Sequence, residues 1–367
     1  MIRRNFILSA FVALLLLAAL AALWLWHDVR SAAMSPGTAS IMQEVDVAPG
    51  SSLRAVLREL ERRELILSAQ RLEWYLRCCW HGDMGKGIQA GRYRFLPGEH
   101  PLVILRNMVD GKVVTEQVTV LEGWTFDRMR EALAAAKDLR QTTTGYTEQQ
   151  IMRELGAPDV PAEGRFAPDT YAYAPGVTTD MQILRLAYEA QRRDLQEAWD
   201  ARQADLPLKT PEEALVLASI VEKETGLASE RAKVAGVFIN RLRIGMRLQS
   251  DPTVIYGMRE RYDGNIRRTD LVRDTAWNTY TRTGLPPTPI ALPGRAAINA
   301  TLNPDHTDAL FFVALGDGSG GHHFSATLAE HNSAVRRYVD LLRQRSLSEA
   351  WSQIRAEDAA APQAAAP

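Results

Sequence analysis

Cysteine is nearly absent from this chain. Only Cys78 and Cys79 occur in 367 residues, and neighbouring side chains on a helix diverge, so no disulfide framework holds the molecule together. Without a second pair at ligand spacing they make no metal centre either, and they read as small apolar residues on a helix face. An excess of charge of either sign is missing too. With 43 basic and 44 acidic residues the formal net charge is -1, which argues against a protein that lives mainly on nucleic-acid phosphates. Disorder has little room: 46% of residues are hydrophobic and 24% charged, the balance of folded domains, and the length suits about two of them. No internal repeat is present.

What the chain does have is one long apolar run, Phe6 to Trp26, broken only by Ser9. At ~1.5 Å per residue it crosses a hydrocarbon core ~30 Å thick and exceeds the ~7 to 15 apolar residues of a cleavable signal peptide. Ala19-Leu20-Ala21 imitates a cleavage site, but the length favours an uncleaved anchor. Arg3 and Arg4 precede the run; after it Arg30 is offset by Asp28 and the next basic residue is Arg54. The positive-inside rule therefore places residues 1–5 in the cytoplasm, 6–26 across the lipid bilayer, and the rest outside the cytoplasm. In a cell with two membranes that is a single-pass inner-membrane protein facing the periplasm.

Residues 27–43, with Pro36 and Gly37, read as a tether. A small domain over 44–115 follows. Val45 and Val47 alternate as a strand, Pro49-Gly50 turns, and Ser51 or Ser52 caps a helix bearing Leu53, Val56, Leu57 and Leu60. A second helix spans Ser68 to Trp80, Gly91 to Phe95 is a strand, and Pro101 to Met108 a helix ending near Gly111. This strand-helix-helix-strand order suggests a LysM-like carbohydrate-binding module, with a plain spacer domain as the alternative. A larger mixed α/β domain over 116–342 opens with a strand from Glu116 to Leu121, a turn at Gly123 and a helix capped by Thr125. Residues 138–160 are helical in part, 184–202 form a charged amphipathic helix, and 343–367 make a partly disordered tail, Ala- and Pro-rich from Ala359. The fold class is α+β.

The chemistry gathers around one helix. Thr210-Pro211-Glu212-Glu213 is a capping box with proline in the first turn, and Gly226 is a natural stop. Between them Ala214 to Val221 is apolar except for Ser219. A helix apolar on every face is buried. Glu222, at its end, is thereby desolvated, and desolvation raises a carboxyl pKa into the range of a general acid. Glu224 lies ~200° further round, so the two carboxylates do not face each other. The structural alternative for Glu222 is an ion pair with Lys223 or Arg231. A second helix, Ser229 to Ile244, places Asn240 among apolar residues and stops at Gly245. A polar loop then leads through Gln249, Ser250 and Asp251, the expected N-cap, to Thr253 and Tyr256, side chains of the kind that line sugar clefts.

Three runs carry a resemblance. Ala218-Ser219-Ile220-Val221-Glu222-Lys223-Glu224-Thr225, Val237-Phe238-Ile239-Asn240-Arg241-Leu242, and Leu248-Gln249-Ser250-Asp251-Pro252-Thr253-Val254-Ile255-Tyr256-Gly257 resemble the endolytic murein transglycosylases, the MltG or YceG-like family. Glu163-Gly164 with Pro168-Asp169-Thr170-Tyr171 precedes them. Asn278-Thr279-Tyr280, Gly284-Leu285-Pro286-Pro287, Gly321-His322 with Phe324, and His331-Asn332 follow, so the likeness runs in order through residues 1 to 340. Arg165, Ala167, Trp277 and His323 depart from the family pattern and touch subsite contacts rather than the Glu222 segment.

The resemblance implies a lyase that cuts the β-1,4 bond between N-acetylmuramic acid and N-acetylglucosamine within nascent peptidoglycan strands, leaving 1,6-anhydro ends. It implies Glu222 as the catalytic acid and base, no cofactor and no metal. Synthetic enzymes of the wall are the neighbours it implies. Asn240, Gln249, Asp251, Tyr256, Asn278, Tyr280 and His322 are the candidate substrate-binding residues; each also has a structural reading, as buried hydrogen-bonding, capping or core residue. Two other function classes remain: a non-catalytic glycan-binding scaffold, and a hydrolytic muramidase that pairs Glu222 with Glu163 or Asp169. Gly316, Gly318 and Gly321 match a dinucleotide fingerprint but sit between two expected strands, so a hairpin loop is the better reading. His322, His323 and His331 lack ligand spacing, and Ser319 lies in no nucleophile elbow.

Overall fold

The structure is a computed structural model that describes residues 2–79 and 87–360, with side chains described for 10–79 and 87–345. The expected end of the second helix at Trp80 and the tail beyond 360 lie outside the described residues. The chain divides into two compact units: Met1–Val118 with Ala134–Thr142 and Ala172–Asp180, and Thr119–Leu133 with Thr143–Tyr171 and Met181–Pro367.

The first unit begins with α1 (Ile2–Met34). Its Ala10–Met34 stretch is long and apolar enough to cross a membrane. The helix does not end with the apolar run at Trp26, and the expected tether is docked rather than free. Ala33 and Ala39 belong to the core of this unit, and Ala39 N–H donates to Glu64 O at 3.0 Å. A Cβ at Gly37 would collide with the Glu64–Leu65 backbone. Small residues permit this approach, a packing fact that composition alone does not reveal.

Next come β1 (Gln43–Val47), α2 (Leu53–Arg62), α3 (Ala69–Cys79), β2 (Gly91–Phe95) and α4 (Pro101–Val109). The expected order of strand, two helices and strand is found. Ser52 caps α2 by accepting from Ala55 N at 3.2 Å. The strands pair antiparallel, with Val45 opposite Tyr93 and Val47 opposite Gly91. Period-two alternation turns Val45, Val47, Tyr93 and Phe95 onto Leu57, Leu60, Leu72, Ile104, Leu105 and Met108,. The other face carries cross-strand ion pairs, Arg94 to Glu44 at 2.7 Å and Arg92 to Asp46 at 2.8 Å.

β3 (Glu116–Thr119) pairs with β4 (Thr170–Tyr173); between them lie α5 (Phe126–Ala135) and α6 (Glu148–Glu154). After α7 (Asp180–Asp200) come α8 (Pro211–Glu224), α9 (Arg231–Arg243), α10 (Asp251–Met258), the short α11 (Arg268–Val272) and α12 (Arg295–Leu302). β5 (Phe311–Ala314) and β6 (His322–Ser325) form an antiparallel hairpin whose loop has Gly316, Gly318 and Gly320 at positive φ, the expected glycine turn. α13 (Leu328–Ala360) is the last element described, so helix continues where a tail was expected from 343.

α8 is the core of the second unit. Every residue from Ala214 to Val221 is buried, packed against α9 and α12 with Phe238, Ile239, Leu248, Ile298 and Leu302 around it. Thr210 caps it, accepting from Glu213 N at 3.2 Å. The Glu213 carboxylate takes the N–H of Lys209 at 2.6 Å rather than that of Thr210, so the expected box is open on one side. The helix stops at Glu224, two residues before Gly226, because Thr225 is already extended.

Candidate active site

Ser219 organises the approach to Glu222. Inside an apolar helix its hydroxyl donates to Val216 O, one turn back, at 2.7 Å, and accepts from Ile290 N at 3.0 Å. That bond fixes one end of a segment, 290–294, that runs beside the last turn of α8. In its middle Leu292 O accepts from Gly123 N at 2.9 Å and Leu292 N donates to Trp124 O at 2.6 Å. At its far end Gly294 N donates to Glu222 Oε2 at 2.9 Å.

Glu222 is half-buried and, among the described residues, forms no ion pair within 4.0 Å. Lys223 turns aside to Gly123 O at 3.2 Å. Burial pushes the Glu222 carboxyl above its ordinary range; the Gly294 N–H pulls it down, the neighbouring Glu122 carboxylate pushes it up, and the positive charges of Arg231 and Lys223 pull it down more weakly,. Gly294 is also the N-cap of α12, whose N-terminus favours the ionised form once the proton has left. A Cβ on Gly294 would collide with the Glu122 carboxylate, so glycine lets Glu122 approach the backbone that holds Glu222. Sequence reasoning missed Glu122 and Gly294. The only local signal was a glycine placed just before a helix.

Glu224 faces elsewhere, as the helical spacing requires. Its Oε1 accepts from Ser250 Oγ at 2.5 Å, and burial pushes its pKa up to about 7, with Asp251 adding to the rise against the Ser250 bond and the His322 and Arg241 charges. Ser250, rather than Asp251, occupies the N-cap of α10, without a side-chain cap bond, and Asp251 is the first helical residue. Pro252 leaves no N–H to cap at its position, and Asp251 instead accepts from the Tyr280 hydroxyl at 2.6 Å. Thr279 braces this loop: its Oγ1 accepts from Ser250 N at 3.0 Å and its carbonyl from Gln249 N at 3.2 Å. Gln249 is exposed and held at φ 49.

A third acid, Glu163, is 8% exposed. It accepts from Phe126 N, at the start of α5, at 3.0 Å; burial pushes it up to about 7 against that bond and one from Tyr256. Tyr256 stands edge-on to Trp277 with ring centroids 5.5 Å apart. The other predicted residues are placed as follows. Asn240 spends its amide N–H groups on Thr307 O at 2.7 Å and Ala309 O at 3.2 Å. Asn278 gathers the carbonyls of Asp270, Leu271 and Arg273, the last at 2.7 Å. His322 pairs through Nδ1 with Glu230 at 2.8 Å. Asp169 is exposed and accepts from its neighbour Thr170 N at 2.6 Å. Thus Asp251, Tyr280 and Gln249 gather around Ser250 and Glu224, whereas Tyr256 belongs with Glu163.

A carboxyl held between burial and a helix N-terminus has the setting that acid–base chemistry needs. The chain matches the YceG-like family over residues 45–337 and belongs to it. An endolytic murein transglycosylase of Bacillus subtilis (strain 168) is 30% identical over 319 residues, 80% of this chain and 84% of that protein. A protein of the same name from Streptococcus pneumoniae serotype 2 (strain D39 / NCTC 7466) is 25% identical over 330 residues; the match covers 81% of this chain but 58% of the longer relative. In three dimensions, a YceG-like protein of Listeria monocytogenes aligns with TM-score 0.51 and 28% identity, over 80% of this chain and 98% of that one. This chain is a lyase of the lytic transglycosylase class.

Proposed function

We propose that this protein is a membrane-anchored endolytic lytic transglycosylase of peptidoglycan. It cuts the bond between N-acetylmuramic acid and N-acetylglucosamine inside nascent glycan strands and so ends their elongation. The setting of Glu222 carries this reading. With Oε2 occupied by the Gly294 N–H, the proton resides on Oε1, which donates it to the leaving glycosidic oxygen. The resulting carboxylate, stabilised by the α12 N-terminus, then takes the proton of the muramyl C6 hydroxyl as that oxygen closes the 1,6-anhydro ring. One carboxyl serves both steps because the nucleophile is part of the substrate and is supplied by proximity.

Gln249, Asp251, Tyr256, Tyr280 and His322 are assigned to sugar contacts. Asn240 and Asn278 are assigned to shaping the cleft, since their amides are committed to backbone carbonyls. The βααβ unit is assigned a LysM-like glycan-binding role. Residues 6–26 are the anchor, with the N-terminus cytoplasmic and the catalytic domain periplasmic, where new strands emerge at the membrane surface; Arg3 and Arg4 support that orientation.

A hydrolytic muramidase is a second reading. The carboxylate that favours it is Glu122, beside Glu222 at Gly294, rather than the exposed Asp169. Mass spectrometry of purified glycan strands digested by the full chain in detergent separates the cases. Internal cuts ending in 1,6-anhydromuramic acid, lost in Glu222→Gln by more than the ~10² that one acid–base group typically supplies, are expected. Ends heavier by one water would mean hydrolysis. Glycan binding without cleavage in the wild type, or cleavage that persists in Glu222→Gln, would sink the assignment.

A further inference from the structure

The first unit contains a groove that the glycan chemistry leaves unused. α3 packs along α1, and the two diverge enough to enclose about 540 Å³ lined by Leu25, Trp26 and Val29 on α1 and by Trp74, Tyr75 and Cys78 on α3. Eight of the eleven lining residues are apolar, aromatic or cysteine, and the polar ones are Asp28, Gln70 and Arg71. An ion pair between Arg71 and Asp28, at 3.0 Å, holds the N-terminal end of α3 at the level of residue 28. From there α3 runs back along α1, so that Cys78 and Cys79 share the groove with Ala22.

That direction sets a depth. The apolar run ends at Trp26, and at ~1.5 Å per residue Ala22 lies ~6 Å inside it. The C-terminal half of α3 is therefore level with the last turn of the apolar run Phe6 to Trp26, which in the anchor reading is where headgroups give way to hydrocarbon. The side chains at this level are those of an interface. Trp24 is 69% exposed, Trp26 44% and Trp74 60%, a belt of indoles shared between two helices. Arg77, held by Glu73 at 2.7 Å, has a stem long enough to reach lipid phosphates. In water the groove would leave Trp26, Trp74 and Leu25 exposed; against a bilayer the same surface is buried.

We propose that the groove between α1 and the C-terminal half of α3 seats the acyl chain of a bilayer phospholipid, making α3 a second membrane contact alongside α1. This rests on the reading of α1 as an anchor, and the experiment separates the two. The only cysteines are Cys78 and Cys79, so Cys79→Ser leaves one thiol in the groove for a bimane label. A second full-length chain, with both cysteines replaced by serine and Leu17→Cys added, carries the label in the middle of the apolar run. Both are placed in lipid nanodiscs with a nitroxide quencher either near the glycerol end of the acyl chain or on the headgroup.

The expected result is about a two-fold loss of Cys78 bimane emission with the acyl-chain quencher and a smaller loss with the headgroup quencher, as for a segment buried a few ångströms below the headgroups. Leu17 should be quenched by acyl-chain nitroxide as well. Quenching at Leu17 with none at Cys78 would overturn the groove assignment and leave the anchor standing. Stronger quenching of Cys78 by the headgroup nitroxide would put α3 on the surface only and overturn the acyl-chain seat. No quenching at Leu17 would overturn the anchor, and the groove assignment with it.

Discussion

Ser219 shows how much of the Glu222 setting hangs on one hydroxyl. Removing it in Ser219→Ala leaves Ile290 N–H buried without its acceptor, which costs about 1–3 kcal/mol, and frees the segment that ends on Glu222 through Gly294. The expected outcome is a lower melting temperature together with a fall in kcat larger than the change in KM, measured by strand cleavage with the full chain. An unchanged kcat would mean that Gly294 holds its place without Ser219.

Glu163 and Glu224 make stability depend on pH. Both carry folded-state pKa values pushed up to about 7 from 4.5, so the folded chain holds protons that the unfolded chain has already released. Their stabilising effect is complete below the unfolded value and is lost as pH rises through about 7. Denaturant melts should show higher stability at pH 5 than at pH 8, and Glu163→Gln should flatten that slope by roughly 1–3 kcal/mol. A slope that the substitution leaves intact would place the titrating group elsewhere. The raised Glu222 pKa has its own signature in activity. The limb of the pH profile that requires the acid form extends above the pH at which an ordinary glutamic acid is already ionised.

α9 carries the clearest prediction about an element. A glycine in a helix interior ordinarily weakens it, yet Gly236 sits in the middle of α9. The reason is close approach. Asp305 N donates to Ala232 O at 3.0 Å, and a Cβ at Gly236 would lie 2.7 Å from Asp305 O. Gly236→Ala should therefore destabilise by about 1–3 kcal/mol in denaturant melts, despite alanine's better helix propensity; a stabilised variant would mean that the 305–307 loop is free to move aside. α8 makes the opposite case. Its start at Thr210, its burial and the position of Glu222 were legible from capping residues and an unbroken apolar run, because those signals are local. Its end was legible too, with Thr225 extended as the C-cap and Gly226 following it as the expected stop,.

The proposed anchor, α1, is tested on the molecule as a whole. The full chain should stay with membranes through alkaline carbonate washing, whereas a chain lacking residues 1–26 should be released; a full chain recovered in the wash would remove the anchor. The docking of Ala33 and Ala39 in the first unit replaces the free tether expected from Pro36 and Gly37, because burial depends on partners such as Glu64 O that are distant in sequence.

The amino-acid order already fixed the α+β elements of the small domain, the glycine hairpin between β5 and β6, the apolar helix and Glu222 in its last turn, because capping, periodicity and hydrophobic length act within a few residues. Tertiary structure decided the company those residues keep. Glu122 and Gly294 meet Glu222 only because segments far apart in the chain lie side by side, and Asn240 and Asn278 turn to backbone carbonyls that folding brings within reach. Which oxygen of Glu222 stays free is set by a donor more than seventy residues away, and no local pattern encodes a contact of that range.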